Sequence, residues 1–180
     1  LFLLFLLVSC LGGSPTHALE EGDAPGRVLI LANARLDSSV ALAEYYADRR
    51  EIPRENILAL PLPTEETLSG PAFVDALWNP LLTRLAEEGW LSGRWAEDPD
   101  RAGRKRFRAY ARDFRYLVLV KGVPLRIADH PAWGADPGPL PEGFRTSRGS
   151  VDSELALLAV PESRLLGAIP NPVFGRVDLP

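Results

Sequence analysis

One stretch decides the fold of this chain: Tyr116-Leu117-Val118-Leu119-Val120, followed directly by Lys121-Gly122-Val123-Pro124-Leu125-Arg126-Ile127. Its first five residues are apolar, and the run then changes abruptly to Lys-Gly and Val-Pro. A buried strand that delivers its last residues to the rim of a sheet has this pattern. The stretch therefore predicts the central strand of a parallel sheet, with Lys121 and Arg126 at the rim.

The residues nearer the N-terminus predict a βαβ unit. Residues 27–32 form a run that is apolar on both faces, as in a central strand of a covered sheet. A helix over residues 40–50 follows, which Ser38 or Ser39 can cap, and residues 56–60 form a second strand. This order and spacing indicate parallel pairing with a right-handed crossover. We therefore expect an α/β fold with an open, mostly parallel sheet flanked by helices.

A second helix is predicted from Pro71 onwards. Its apolar residues recur every four positions and form one stripe: Phe73, Leu77, Leu81 and Leu85. Pro80 interrupts the pattern, because proline has no N–H for the helix ladder. We expect a kink near Asn79 or two short helices, and then an irregular polar segment over residues 89–100.

Residues 101–115 are the one charge run, with seven basic side chains against Asp113. Phe107, Tyr110 and Phe114 lie among the charges at helical spacing, so an amphipathic helix is predicted. Two interpretations stay open. The run is either a solvated helix face or a surface for anionic lipid or polysaccharide. We do not expect a nucleic-acid partner, because an exported protein seldom meets nucleic acid.

The first residues indicate export. Residues 1–8 are continuously apolar and too short to span a bilayer as a helix, as in the core of a signal peptide. Two processing routes remain. Residues 7–10, Leu-Val-Ser-Cys, resemble a lipobox in which Cys10 is lipidated, and cleavage after Ala18 is the alternative. We expect a periplasmic or outer-envelope protein that reaches the membrane through its leader or a lipid anchor.

Composition and boundaries are consistent with one folded domain. The chain has 180 residues, 46% hydrophobic and 24% charged, with a formal net charge of -4, close to an average globular protein. We predict a signal peptide over residues 1–18, a linker over 19–26 and an α/β domain over 27–180. The last residues suggest no closing element, so we expect a fragment of a larger domain.

Candidate site residues come from three segments that we expect beyond the carboxyl ends of the strands, where open parallel sheets bind ligands. The candidate catalytic residues are Lys121, Ser150, Asp152 and Glu154. The candidate ligand-binding residues are Asp37, Ser38, Arg126, Arg145 and Ser153. Such a mixture suits an anionic or peptidic ligand, or acid–base catalysis. The structural alternative is that Lys121 pairs with Asp152 or Glu154 and that the carboxylates complement a helix dipole.

Several chemistries lack the residues that they need. Cys10 is the only cysteine, which excludes a cysteine nucleophile and a cysteine-ligated zinc in the folded part. His130 stands alone, and no glycine-rich phosphate loop occurs. We therefore predict no cofactor and no metal. A triad of His130 with Ser147 or Ser150 stays open, although neither serine lies in a strand-to-helix elbow.

Four segments together resemble a family of exported bacterial proteins associated with exosortase, the membrane enzyme of the PEP-CTERM protein-sorting system. They are residues 38–46 followed by 52–58, then 116–127, 150–158 and 171–174. The resemblance spans about residues 27–175, and family members continue beyond this point with further α/β sequence. It implies a recognition or processing factor for exported proteins or peptides, and it supplies no catalytic residues.

The chain is less closely similar to gingipain-like cysteine peptidases, which share the order strand, helix, strand and then an apolar strand. Those enzymes need a Cys and a His after later strands, and Cys10 lies in the leader instead. Two alternatives to a recognition factor follow. One is a hydrolase of peptidase type that uses the polar rim, and the other is a structural envelope lipoprotein.

Overall fold

The computed structural model describes residues 25–130 and 148–158. The expected leader, Cys10, Arg145 and residues 159–180 lie outside these ranges. The strands are β1 (Val28–Asn33), β2 (Ile57–Leu60), β3 (Thr67–Leu68), β4 (Leu91–Trp95), β5 (Phe107–Arg112), β6 (Tyr116–Leu119), β7 (Arg126–Ile127) and β8 (Gly149–Ser150). The α-helices are α1 (Asp37–Arg50), α2 (Gly70–Phe73), α3 (Asn79–Glu87) and α4 (Val151–Leu155). The described chain is thus a mixed α/β fold.

Sheet A consists of β2, β1 and β6 in that order, with both pairings parallel. The predicted βαβ unit is confirmed by the pairing of β1 with β2. The prediction that residues 116–120 form the central strand differs from the described sheet, in which β1 occupies the centre and β6 pairs with β1 alone. Burial gives the reason: Leu29, Ile30, Leu31 and Ala32 are fully buried, whereas residues 117–119 are half-buried.

Helices cover both faces of sheet A, which explains why β1 is apolar on each side. Ile30 and Ala32 pack with Ala43 and Ala47 of α1. Leu29 and Leu31 point to the opposite face, since side chains alternate along a strand. There they join the larger apolar cluster, which contains the predicted stripe of Phe73, Leu77, Leu81 and Leu85. The parallel sheet is therefore the middle of three layers.

The helical stretch over residues 70–87 changes its hydrogen-bonding pattern directly before Pro80. Ser69 caps α2 by accepting a hydrogen bond of 3.3 Å from the Ala72 N–H. A π-helical turn, Val74–Trp78, separates α2 from α3, and the Asn79 N–H donates to the Val74 carbonyl. Pro80 then lies in the first turn of α3, where a missing N–H is tolerated. The predicted interruption is thus a π turn directly before Asn79.

Residues 91–112 form an antiparallel hairpin in which β4 pairs with β5. The predicted helix over residues 101–115 is therefore wrong. Of the segment over residues 89–100, residues 91–95 form a strand and residues 96–100 are irregular, as expected. Leu91 and Phe107 are buried in the larger apolar cluster, which holds the hairpin against the helical layer. The connection between its strands is fastened by Arg104, whose guanidinium pairs with Asp100 at 2.7 Å and lies 4.7 Å from the centroid of the Trp78 ring.

Sheet B consists of the two-residue strands β3, β7 and β8, with β3 and β7 parallel and β8 antiparallel. The segment between β2 and α2 thus contributes β3. Directly after Ser150 the chain forms α4, and Val151, Leu155 and Leu158 are buried. No helix within the described ranges is long and apolar enough to cross a membrane.

Candidate functional site at the carboxyl edge of sheet A

Two connections converge over the carboxyl end of β1. One connection runs from β2 to β3 and the other from β6 to β7. β2 and β6 flank β1 in sheet A, and β3 and β7 pair with each other in sheet B. Ligands of open parallel sheets bind in the crevice at this edge. In this chain both connections from sheet A to sheet B start at this edge. The chain itself therefore fills the middle of the crevice, above the end of β1.

Asn33, the last residue of β1, fills that position and is fully buried. Its Nδ2 donates hydrogen bonds to the carbonyl oxygens of Pro63, at 3.1 Å, and Gly122, at 2.9 Å. Its Oδ1 accepts from the N–H groups of Arg35, at 3.0 Å, and Leu62, at 3.2 Å. A primary amide has two donors and two acceptor lone pairs, and all four are used here. Asn33 therefore ties both connections to the central strand.

Gly122 lets the chain turn at the end of β6. Its φ of +104° lies in the region that favours glycine, and a Cβ there would approach Ser39 Cβ and Oγ to 2.9 Å. Ser39 Oγ in turn accepts a hydrogen bond of 3.0 Å from the Asn33 N–H. The segment Lys121–Gly122 is thus held against the first turn of α1, so the predicted meeting of these two segments at one edge is found.

The first turn of α1 differs from the prediction in one respect. The helix begins at Asp37 after Leu36, and no side chain caps it. The expectation that Ser38 or Ser39 serves as the cap is therefore wrong: Ser39 is buried and bonds to Asn33, and Ser38 is exposed. Asp37 is also exposed. Lys121 is exposed and forms no ion pair with any residue in the described ranges, including Asp152 and Glu154.

The remaining candidates lie on sheet B and α4. Arg126 of β7 is exposed, stands opposite Ser150 of β8 and pairs with Glu66 at 3.5 Å. Ser150 Oγ donates a hydrogen bond to Asp152 Oδ1. Asp152 and Ser153 are exposed, whereas Glu154 is only 5% exposed and belongs to the interior. The expected acidic side of the rim is therefore supplied by Asp152 without Glu154.

Residues 129–149 are rich in Pro and Gly, and the two ends of this segment meet at sheet B. β7 and β8 pair, and Arg148 Nε donates to Asp129 Oδ2 at 3.0 Å. Residues 131–147, which include Arg145 and Ser147, lie outside the described ranges. His130 is half-buried at the start of this segment. The hypothesis of a triad with His130 therefore stays a prediction.

The structure also contains features that we did not predict from the sequence. A surface groove of about 590 Å³ runs beside α3. Side chains that line it bond to one another, because Lys105 Nζ donates to Thr83 Oγ1 and Arg84 pairs with Glu88 at 2.7 Å.

The role of Asn33 was not predicted from the sequence, because an asparagine after an apolar run usually marks a turn. Its only sequence signal was its place at the end of a doubly apolar strand.

The described part of the chain contains no group of three or more His, Cys, Asp or Glu side chains that could hold a metal ion. Comparison of the chain with protein-family models, with curated protein sequences and with solved structures gave no match.

Proposed function

We propose that this chain is an exported cell-envelope protein whose α/β unit recognises exported proteins or peptides in an exosortase-type sorting system. The apolar leader and the resemblance of four segments to the exosortase-associated family support this role. The observation that carries the site is Lys121, an exposed cation without an ion-pair partner among the described residues, at the carboxyl edge of a parallel sheet.

Lys121 is suited to binding the carboxylate of a peptide. Its backbone is fixed on one side by β6 and on the other by Gly122, which packs against Ser39 and Leu36. A cation on a rigid support loses little backbone entropy when it binds, which favours affinity. Asp37 and Ser38, exposed in the first turn of α1, add a negative charge and a hydroxyl for the polar groups of the same peptide.

Recognition accounts for the candidate residues better than catalysis does. Arg126 pairs with Glu66, and Glu154 is buried. Glu154 is therefore far less accessible to a substrate than Lys121. One observation favours the second candidate function, a hydrolase: Ser150 Oγ donates to the Asp152 carboxylate, as a nucleophile would to a base. Loss of hydrolysis of a peptide substrate in Ser150→Ala, with folding intact, would support that alternative.

The proposal includes a larger sheet. We infer that sheet A belongs to an open, mostly parallel sheet of a larger α/β domain. β6 pairs with β1 alone among the described strands, and Tyr116 at its start is 56% exposed. An apolar strand with an open edge can accept another strand.

We propose that the leader or a lipid on Cys10 attaches the protein to the membrane. Mass spectrometry of the mature N-terminus distinguishes a lipidated Cys10 from cleavage after Ala18.

Lysine cross-linking tests the proposed site directly. Lys105 and Lys121 are the only lysines in the chain. In Lys105→Arg, Lys121 is the single remaining side-chain amine within residues 1–180, and peptide mapping assigns each adduct to its lysine. We would express this variant in a bacterium with an exosortase and treat intact cells with an amine-reactive cross-linker. Adducts that map to Lys121 and contain a protein with an exosortase sorting signal are expected.

The reciprocal variant is the matched control. Lys121→Arg keeps the positive charge and leaves only Lys105, so the adduct is expected to disappear. Lys121→Ala should also reduce release of sorted proteins from the cell, while its circular dichroism and melting temperature stay unchanged. Equal adducts at Lys105, or normal release in a folded Lys121→Ala variant, would contradict the proposed site.

A further inference from the structure

The outward face of the hairpin, which we define as Arg94, Arg108 and Tyr110, presents an unusual arrangement of charge. Arg94 and Arg108 stand directly opposite each other in the register of β4 and β5. Side chains at such positions lie about 5 Å apart at Cβ, and like charges there repel. Both arginines are exposed. Such a pair is expected to destabilise the hairpin, so the stability of the fold does not explain why two arginines stand there.

A β-bulge adds an aromatic ring beside the arginine pair. Ser92 pairs with Ala111 and Gly93 with Ala109, so Tyr110 is the extra residue of β5. A bulge redirects the side chain of the residue that it inserts. Tyr110 is 62% exposed and is not part of either apolar cluster. The ring is therefore exposed to solvent on β5, two residues along the strand from Arg108.

The positive charge of this region is largely uncompensated. Residues 91–115 contain eight basic and four acidic side chains. The one ion pair that joins two of them is between Arg104 and Asp100, in the connection between the strands. Arg94 and Arg108 form no ion pair with any described residue. The face is complementary to a surface that offers several negative charges close together.

We propose that this face docks on a membrane surface of anionic phospholipids. The planar, forked guanidinium group matches phosphate oxygens, and a bilayer presents phosphates at high density in one plane. Tyrosine is enriched at the level of the headgroups, where its ring is partly buried and its hydroxyl stays hydrated. The apolar leader places the chain beside such a surface. The inference involves none of the residues of the proposed peptide site.

Vesicle co-sedimentation of the full chain tests the proposal. One set of vesicles is pure phosphatidylcholine, and the other contains about one third phosphatidylglycerol, which supplies the negative surface charge. Apolar contacts, including those of a retained leader, contribute to binding of both sets, so the difference between them reports the charged face. We expect preferential binding to the anionic vesicles, and this preference should weaken as salt screens the charges.

Charge reversal identifies the residues responsible. The double variant Arg94→Glu with Arg108→Glu is expected to weaken binding to anionic vesicles by at least about 30-fold, since each basic residue near such a surface contributes several-fold in affinity. Arg35→Glu with Arg49→Glu makes the same change in net charge at exposed positions outside the hairpin and should weaken binding much less. Tyr110→Ala should weaken binding without removing its salt dependence.

Three outcomes would overturn the proposal. One is equal binding of the wild-type chain to both vesicle sets. Another is an equal loss of binding in the hairpin variant and in the control variant. The third is binding to heparin or to single-stranded DNA without binding to anionic vesicles, which would assign the face to a soluble polyanion. Circular dichroism and the melting temperature confirm that each variant is folded.

Discussion

The side-chain amide of Asn33 donates a hydrogen bond of 2.9 Å to the carbonyl oxygen of Gly122, a residue 89 positions further along the chain. This bond joins the central strand of sheet A to the connection that leaves β6. Together with the bond from the same amide to Pro63, it closes the carboxyl edge of the sheet at its middle. Lys121, which directly precedes Gly122, therefore lies exposed next to this closed part of the edge.

Substitution of Asn33 by Ala is expected to destabilise the fold by about 3 kcal/mol. The variant removes the partner of the Pro63 and Gly122 carbonyl oxygens and of the Arg35 N–H, whereas the Leu62 N–H keeps its bond to the Leu60 carbonyl. Asn33 is fully buried, and unsatisfied buried groups are costly. Urea denaturation followed by circular dichroism measures the change. Asn79→Ala is the matched control, because its amide also bridges two backbone groups, of Gly103 and Lys105, but at the surface. An equal loss in both variants would contradict a special role for Asn33.

Substitution of Gly122 by Ala should destabilise the protein by about 2–3 kcal/mol, because φ is +104° and the new Cβ would meet Ser39 at 2.9 Å. Gly89→Ala separates the two causes. Gly89 also has a positive φ, +82°, but a Cβ there has no atom within 4 Å. We expect a loss of about 1 kcal/mol for Gly89→Ala. A smaller loss at Gly122 than at Gly89 in thermal unfolding would show that the contact with Ser39 is unimportant.

Substitution of Arg108 by Glu is expected to stabilise the hairpin. It places a carboxylate opposite Arg94, so a repulsive cross-strand pair becomes attractive, by about 0.5 kcal/mol. The double variant Arg94→Glu with Arg108→Glu restores a like-charge pair and should return to wild-type stability. A double-mutant cycle by urea denaturation measures the coupling. A coupling energy of zero would mean that the two side chains do not interact across the strands.

Substitution of Asp100 by Ala should destabilise the connection between β4 and β5 by about 2 kcal/mol. Its carboxylate accepts hydrogen bonds from the N–H groups of Ala102 and Arg104 and pairs with the Arg104 guanidinium, whose side chain is only 6% exposed. Hydrogen exchange should report faster exchange in residues 96–106. Asp98→Ala in the same connection is the control, because Arg106 contacts the backbone of Asp98 and not its carboxylate. Unchanged exchange in Asp100→Ala would contradict this account.

The elements with a clear local pattern were predictable. β1, α1, β2 and β6 lie where periodicity and composition indicated them. The hairpin was not predictable in this way, because Phe107, Tyr110 and Phe114 match the spacing of a helix. The bulge at Tyr110 breaks the alternation that would have marked a strand, and pairing with β4 decides the conformation.

The candidate site was predictable only in part. The sequence indicated that Lys121 and the first turn of α1 lie at one edge, since both follow strands of a parallel sheet. It could not indicate that Glu154 is buried or that Arg126 pairs with Glu66, because both depend on how sheet B forms from segments that are far apart in the chain.

By itself, the sequence determined which segments are buried, the parallel βαβ unit at the start of the domain and the concentration of positive charge over residues 101–115. The tertiary structure decided three other features: the central place of β1, the closure of its carboxyl edge by Asn33 and the display of Arg94 beside Arg108. The physical reason is one of range. Burial follows from the local spacing of apolar side chains, whereas strand order, buried hydrogen bonds and cross-strand pairs arise from contacts between distant residues.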